Sequence, residues 1–387
     1  MDRINDIELI NGDVAIIFDN DEFKALKSNK YNFLFNKKDG FFVRWGKGDY
    51  TNLVKGFSIT ELSIYRVWCD IWGEKFNFYE FITDLSTDGD EYLGIPEIVD
   101  IEITTKPCSN ICSFCYKKNI GVGNNMVLET FKKIIDKIPF VTQIAFGITD
   151  IDANPDMWDI FNYTRKMGIV PNVTINCKNM NSDIYNKLSN TMGAVACSYY
   201  DEDECFNSIY ELTNRGMKQV NIHHMIHSEN FDETLELLKK TKTDLRLKKL
   251  NAVVLLSLKK VGLAENKYDV LSQEKFKELT IYALENDIKI GYDSCGSIKF
   301  LNSIKGISKY DNLSIYVDKC ESSVYSMYIN TDGYFSPCSF INFKNKLSVI
   351  ECNNFFNDIW YNEDVVQFRN KVLYSRNNNI SCNVYNI

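Results

Sequence analysis

From residue 98 onward, short runs of β-branched residues alternate with longer stretches whose apolar positions recur at helical spacing. The short runs predict strands over 98–105, 141–146, 170–175, 193–198, 218–225 and 250–257. Between them the helical period predicts helices near 127–138, 155–167, 181–190, 203–215 and 230–241, with a sixth at 272–286. Two starts carry caps: Asn154 ahead of Pro155, and Ser272 ahead of Gln273 and Glu274. Repeated βα units joined by right-handed crossovers build a parallel sheet. Six units fall short of the closed eight-stranded barrel. The expected fold class is therefore α/β, a partial (β/α)6 TIM-type barrel. Its working groups should gather at the carboxyl ends of the strands.

Two other pieces flank the βα region at 96–287. Residues 1–95 contain an aromatic hairpin pattern at 31–45, where Gly40 supplies a positive φ at the turn, and a helical pattern at 59–72. This piece reads as a small α+β cap, or else as a peptide-docking module whose hairpin edge accepts an added strand. Residues 288–387 begin with a short strand at 288–293 that leads to Cys295. A second hairpin follows at 325–338, with Thr331-Asp332-Gly333 as its turn and Cys338 at its exit; Cys320 precedes it and Cys382 lies near the end. The tail offers little apparent core, because a lone hairpin is marginal and Arg376-Asn377-Asn378-Asn379 is polar. A metal crosslink would supply the missing stability.

The chemistry centres on Cys108-Ser-Asn-Ile-Cys112-Ser-Phe-Cys115-Tyr116, directly after the first strand of the βα region. Three thiolates on one short loop can hold three corners of a four-iron cube and leave the fourth iron open to a small molecule. Structural zinc wants four ligands from paired knuckles, and no second tight Cys/His pair follows at the usual distance. With this C-x3-C-x2-C loop and its flanking aromatics Phe114 and Tyr116, the chain resembles the radical S-adenosylmethionine (SAM) superfamily. The resemblance implies a [4Fe–4S] cluster on Cys108, Cys112 and Cys115, with SAM bound at its open iron. It implies reductive cleavage of SAM to a 5′-deoxyadenosyl radical, which abstracts hydrogen from an unactivated carbon. It also implies SAM contacts from Phe114 and Tyr116, from Gly147 and Thr149 after the second strand, from Asn176 after the third, and from Ser198 at the end of the fourth.

The chain departs from the family at one place. Gly147-Ile148-Thr149 stands where the family has Gly-Gly-Glu, although the downstream Asn154-Pro155-Asp156 matches. That family contact is made largely by backbone, which Gly147 to Thr149 still offer. His223 and His224 end the fifth strand and read first as core residues, while His227 is expected to face solvent. Asp150 and Asp152 are candidates for substrate contact. The tail resembles the twitch or SPASM auxiliary-cluster extensions, in which a glycine-turn hairpin ends in a cluster cysteine. That resemblance implies one auxiliary [4Fe–4S] cluster on Cys295, Cys320, Cys338 and Cys382, with Cys352 as the substitute ligand. A full SPASM domain has more cysteines, including a tight C-x2-C that this tail lacks. Cys69, Cys177, Cys197 and Cys205 read as core or surface thiols.

Composition narrows the function classes. The 387 residues carry a net charge of −8 and no polybasic block, which argues against nucleic-acid binding. No run approaches a membrane-spanning length, and the first residues lack a cleavable apolar core, so a cytoplasmic protein without membrane attachment is expected. Twelve cysteines in such a chain point to metal sites more than to disulfides. The expected activity is modification of a ribosomally made peptide, for example by a thioether or carbon–carbon crosslink, with a reductase or flavodoxin-type electron donor. Two rivals stand beside it: a radical SAM dehydrogenase or mutase acting on a small metabolite, and a non-catalytic iron–sulfur or SAM-binding protein.

Overall fold

The computed structural model describes residues 9–10, 14–28, 32–37, 42–45 and 96–382. Its centre is a ten-stranded sheet in the order β12-β11-β10-β9-β8-β7-β6-β13-β14-β15. The strands expected from the β-branched runs are β6 (Ile98–Glu102), β7 (Gln143–Gly147), β8 (Val170–Ile175), β9 (Ala194–Ser198), β10 (Val220–Ile226) and β11 (Ala252–Ser257). They pair in parallel, each with the next. β12 (Ile290–Tyr292) adds in parallel beside β11. The crossovers carry α1 (Leu128–Lys137), α2 (Met157–Lys166), α3 (Ser182–Thr191), α4 (Glu202–Asn214) and α5 (Phe231–Thr243); α6 (Gln273–Glu285) leads from β11 to β12. The fold is mixed α/β with a mostly parallel central sheet.

Alternation decides which side chains reach each face. Along β10, Val220, Ile222, His224 and Ile226 are buried while Asn221, His223 and Met225 are only partly so. α1 buries Phe131, Ile134 and Ile135 against the sheet. One predicted cap behaves differently. Helix α2 starts at Met157, and Asn154 does not cap it. The Asn154 amide donates instead to the carbonyls of Ile103 (2.7 Å) and Met126 (2.8 Å), pinning the loop after β6 to the start of α1. Ser272 does cap α6, accepting from the Lys275 N–H.

The tail is joined to this sheet. β13 (Ser326–Ile329) pairs in parallel with β6, and the hairpin continues through β14 (Tyr334–Ser336) to β15 (Leu347–Ser348). Two helices appear that the apolar pattern did not predict, α7 (Ser297–Ile304) and α8 (Glu363–Asn377). α8 buries Val365, Arg369, Val372, Ser375 and Arg376, a helical stripe in which two arginines stand where apolar residues would announce a helix. Arg369 is fully buried, donates from Nη2 to the Trp360 carbonyl (2.7 Å) and lies over the Trp360 ring. The expected polar, coreless tail is therefore corrected: Arg376 is buried, and Phe355 and Phe356 pack on Phe140 of the main core.

At the amino end, β1 (Leu9–Ile10), β2 (Val14–Asp19), β3 (Phe23–Ser28), β4 (Asn32–Asn36) and β5 (Phe42–Trp45) form a five-stranded antiparallel sheet. β4 and β5 are the arms of the expected hairpin. Its turn and the helix expected at 59–72 lie outside the described residues. Lys24 is buried and donates to the carbonyls of Pro139 (2.5 Å) and Val141 (3.2 Å), and Leu26 and Phe35 join the main core.

Candidate functional site

The three cysteines of the first loop lie just past the carboxyl end of β6, where tight local turns shape the chain. The Cys112 N–H donates to the Asn110 carbonyl (3.0 Å), and the Cys115 N–H to the Cys112 carbonyl (3.1 Å). Asp150, in the loop after β7, holds this segment from outside. It accepts from the Ser109 N–H (2.8 Å) and hydroxyl (2.5 Å) and from the Asn176 amide (2.6 Å). The same Asn176 amide group reaches the Cys108 sulfur at 3.7 Å, and the Asn110 amide donates to the Cys112 sulfur at 3.2 Å. Donors aimed at sulfur favour the thiolate. Burial works the other way, pushing the thiols of Cys108 and Cys112 up, with Asp150 adding to the rise at Cys108.

Gly262 braces the loop from the far side of the sheet. Its φ is +69°, and an added Cβ would lie 2.4 Å from the Cys115 carbonyl oxygen and 2.5 Å from Tyr116 Cα. Only glycine permits so close an approach. The Leu263 N–H then donates to the Cys115 carbonyl at 2.9 Å.

The residues implied in SAM contact are partly gathered here. Asn176 and Ser198 are both buried at their strand ends. Thr149 is buried with its hydroxyl oxygen unpartnered among the described residues, an orphan that a ligand amine or carboxylate would satisfy. Gly147 is exposed at the end of β7. Phe114 lines a cavity with Cys112, Tyr200, Met225 and His227, its ring 6.0 Å from that of Tyr200. Tyr116 turns elsewhere, against Phe340 of the tail at 4.6 Å between centroids. His227, expected to face solvent, is buried instead, its ring packed at a tilt against that of Tyr268 with centroids 4.2 Å apart. Asp152 points away from the site, accepting from the Trp158 indole.

The four tail cysteines come together. Cys295, Cys320, Cys338 and Cys382 all line one cavity of about 170 Å³ between the tail and the ends of β6, β11 and β13. They arrive from four separate segments. Cys295 lies in a short 3-10 turn whose Asp293 side chain accepts from the Gly296 N–H. Burial pushes the thiols of Cys295 and Cys320 up, and that of Cys338 to about 11. Such thiols stay protonated unless positive charge compensates them, and bound metal supplies it. Among the described residues no three His, Cys, Asp or Glu side chains form a single-ion site. An iron–sulfur cube is larger than one ion, so its thiols stand further apart.

The remaining cysteines separate from both sites. Cys352 is buried and donates to the Val349 carbonyl (3.1 Å), away from the cavity. Cys177, Cys197 and Cys205 are core thiols, and Cys69 lies outside the described residues. Sequence reasoning missed Lys259, which is buried on the cavity wall. It also missed the group between the two cysteine sites, where the Tyr328 hydroxyl donates to Glu102 (2.6 Å) and Lys117 pairs with Glu102 (3.3 Å). Nothing in local spacing connects residues so far apart in the chain.

Among the described residues no helix is long and apolar enough to cross a membrane. No family model matches the sequence, and no curated protein matches it. Solved structures do. SuiB of Streptococcus suis bound to precursor peptide SuiA is 13% identical over 93% of this chain and 89% of its own, with a TM-score of 0.62. SuiB bound to S-adenosylmethionine, also 13% identical, covers 87% and 86% with a TM-score of 0.59. Native anSMEcpe with bound AdoMet and the Cp18Cys peptide is 12% identical over 70% and 82%, with a TM-score of 0.51. At such identities the likeness is one of fold, and the chain has the fold of SuiB and anSMEcpe.

Proposed function

We propose that this chain is a radical SAM enzyme that modifies a ribosomally made peptide. One observation carries the reading: the Cys108, Cys112 and Cys115 loop lies past the carboxyl end of β6, in a chain with the fold of proteins solved with S-adenosylmethionine and with peptides. Cys108, Cys112 and Cys115 would hold a [4Fe–4S] cluster, which with SAM would supply the radical chemistry for hydrogen abstraction. The chain's own residues do the rest. Asp150 fixes the loop, and the amides of Asn110 and Asn176 donate to its sulfurs. Thr149, Asn176 and Ser198 offer polar groups to SAM at the strand ends, and the Phe114 cavity offers an aromatic wall to its adenine. Cys295, Cys320, Cys338 and Cys382 would hold a second cluster. A flavodoxin-type protein or reductase would deliver the electron.

The test is anaerobic reconstitution with iron and sulfide, followed by dithionite and SAM. 5′-Deoxyadenosine should form with the parent chain and not with a Cys108→Ala, Cys112→Ala, Cys115→Ala variant. An iron-loaded parent that forms none, or a triple variant that still forms it, sinks the reading. For the substrate, a short reading frame beside the gene supplies the candidate peptide. Loss of a hydrogen pair from that peptide, read by mass spectrometry, is the expected mark of a crosslink; an unchanged mass despite SAM cleavage would exclude that peptide.

A further inference from the structure

Both cysteine sites bury sulfur beside charged side chains. At the first loop the charge beside Cys108 is the Asp150 carboxylate. The wall of the tail cavity carries one buried cation, Lys259, and a second, Arg376, lies behind Cys320. Lys259, just beyond β11, is 4% exposed; its Nζ pairs with Asp293 and lies 4.7 Å from the Phe340 centroid. It lines the same cavity as Cys295 and Cys338. Arg376, also 4% exposed, donates from Nη1 to the carbonyls of Cys320 (2.8 Å) and Lys319 (2.9 Å), placing its charge beside Cys320. Asp100 and Glu321 are the acidic residues on the same cavity wall.

A buried ion pair is poor value as a stabilising device, since desolvation offsets most of the attraction. The position of Lys259 makes sense when the cavity holds something negative. Four thiolates around a cluster supply negative charge, and each added electron increases it. A cation held close and out of water favours the reduced form. We propose that Lys259, supported by Arg376 on the Cys320 side, raises the reduction potential of the auxiliary centre. The proposal rests on the reading that the four tail cysteines hold one cluster. It makes Lys259 a positioning charge and not a catalytic residue.

The experiment uses the full chain carrying Cys108→Ala, Cys112→Ala and Cys115→Ala, so that only the tail site loads. Iron content and a dithionite titration followed by electron paramagnetic resonance are read with Lys259 intact, as Lys259→Met and as Lys259→Arg. The methionine variant should keep about four irons. It should lower the equilibrium constant for one-electron reduction at least tenfold, about 59 mV. Arginine should bring it back to within about threefold of the parent. A methionine variant that loads iron and keeps the parent's potential overturns the inference. Where the methionine variant fails to load, Arg376→Gln should shift the potential in the same direction, and an unmoved potential there overturns the inference as well. A parent that binds no iron overturns the cluster reading itself, and this inference with it.

Discussion

At Asp150 one carboxylate binds the first cysteine loop and the end of β8 together. The sequence marked it as a candidate for substrate contact. Its identity as an acid was legible, but its partners were not, because Ser109 and Asn176 meet it only through the parallel order of β6, β7 and β8. The histidines divide along the same line. The sequence read both His223 and His224 as core residues; in the structure alternation along β10 buries His224, with Thr234 as its partner at 3.0 Å. Burial, with His227 adding to it, lowers its pKa from 6.5 to about 4. The unfolded chain therefore takes up this proton first as pH falls, so stability is full above about pH 6.5 and is lost towards pH 4. One such ring is worth about 3 kcal/mol across that window. His224→Gln, which keeps a partner for Thr234, should lose about that much less between pH 7 and pH 4 in urea unfolding followed by circular dichroism. An identical pH profile in the two proteins would show that the ring is protonated without penalty in the fold.

Elements with a strong apolar rhythm were legible, and those held by charge were not. The β-branched runs of β6 to β11 and the stripes of α1 to α6 announce themselves, since each must bury one face. α8 hides because Arg369 and Arg376 occupy two positions of its buried stripe. The loop after β11 is another blind spot: Gly262 looks like any turn glycine, yet it lies against the backbone of Cys115 and Tyr116. Gly262→Ala should cost about 1–2 kcal/mol for a left-handed φ alone. The clash with Cys115 should then displace the third thiol, so the variant is expected to stay folded, lose the irons of the first site and lose SAM cleavage. Circular dichroism and iron content check it together. A variant with unchanged iron and unchanged 5′-deoxyadenosine formation would mean that the loop yields without disturbing the site.

Across the whole molecule, the tail is where sequence and structure part most. Read as a sequence, it is a hairpin with four scattered cysteines and a polar end, stable only when crosslinked by metal. In the fold it is part of the main sheet. β13 extends β6 in parallel register from Ser326↔Ile98 to Ile329↔Ile101, and Ile329, Phe335, Phe355, Phe356 and Trp360 belong to the main core. Residues that close a core cooperate with it whether or not a metal is present. The cavity that gathers the cysteines is a consequence of that packing, because β13, α7 and α8 are placed by apolar contacts and by arginine hydrogen bonds to backbone carbonyls. Changing Cys295, Cys320, Cys338 and Cys382 together to Ser should therefore leave the tail folded. The quadruple variant is expected to keep about four irons at the first loop and to form 5′-deoxyadenosine. It should unfold in one transition, and the metal-free parent and metal-free variant should differ by no more than about 2 kcal/mol, as small polar changes in a roomy cavity allow. A variant whose tail is cleaved by protease under native conditions, while the rest of the chain survives, would restore the view that metal is what holds this region in place.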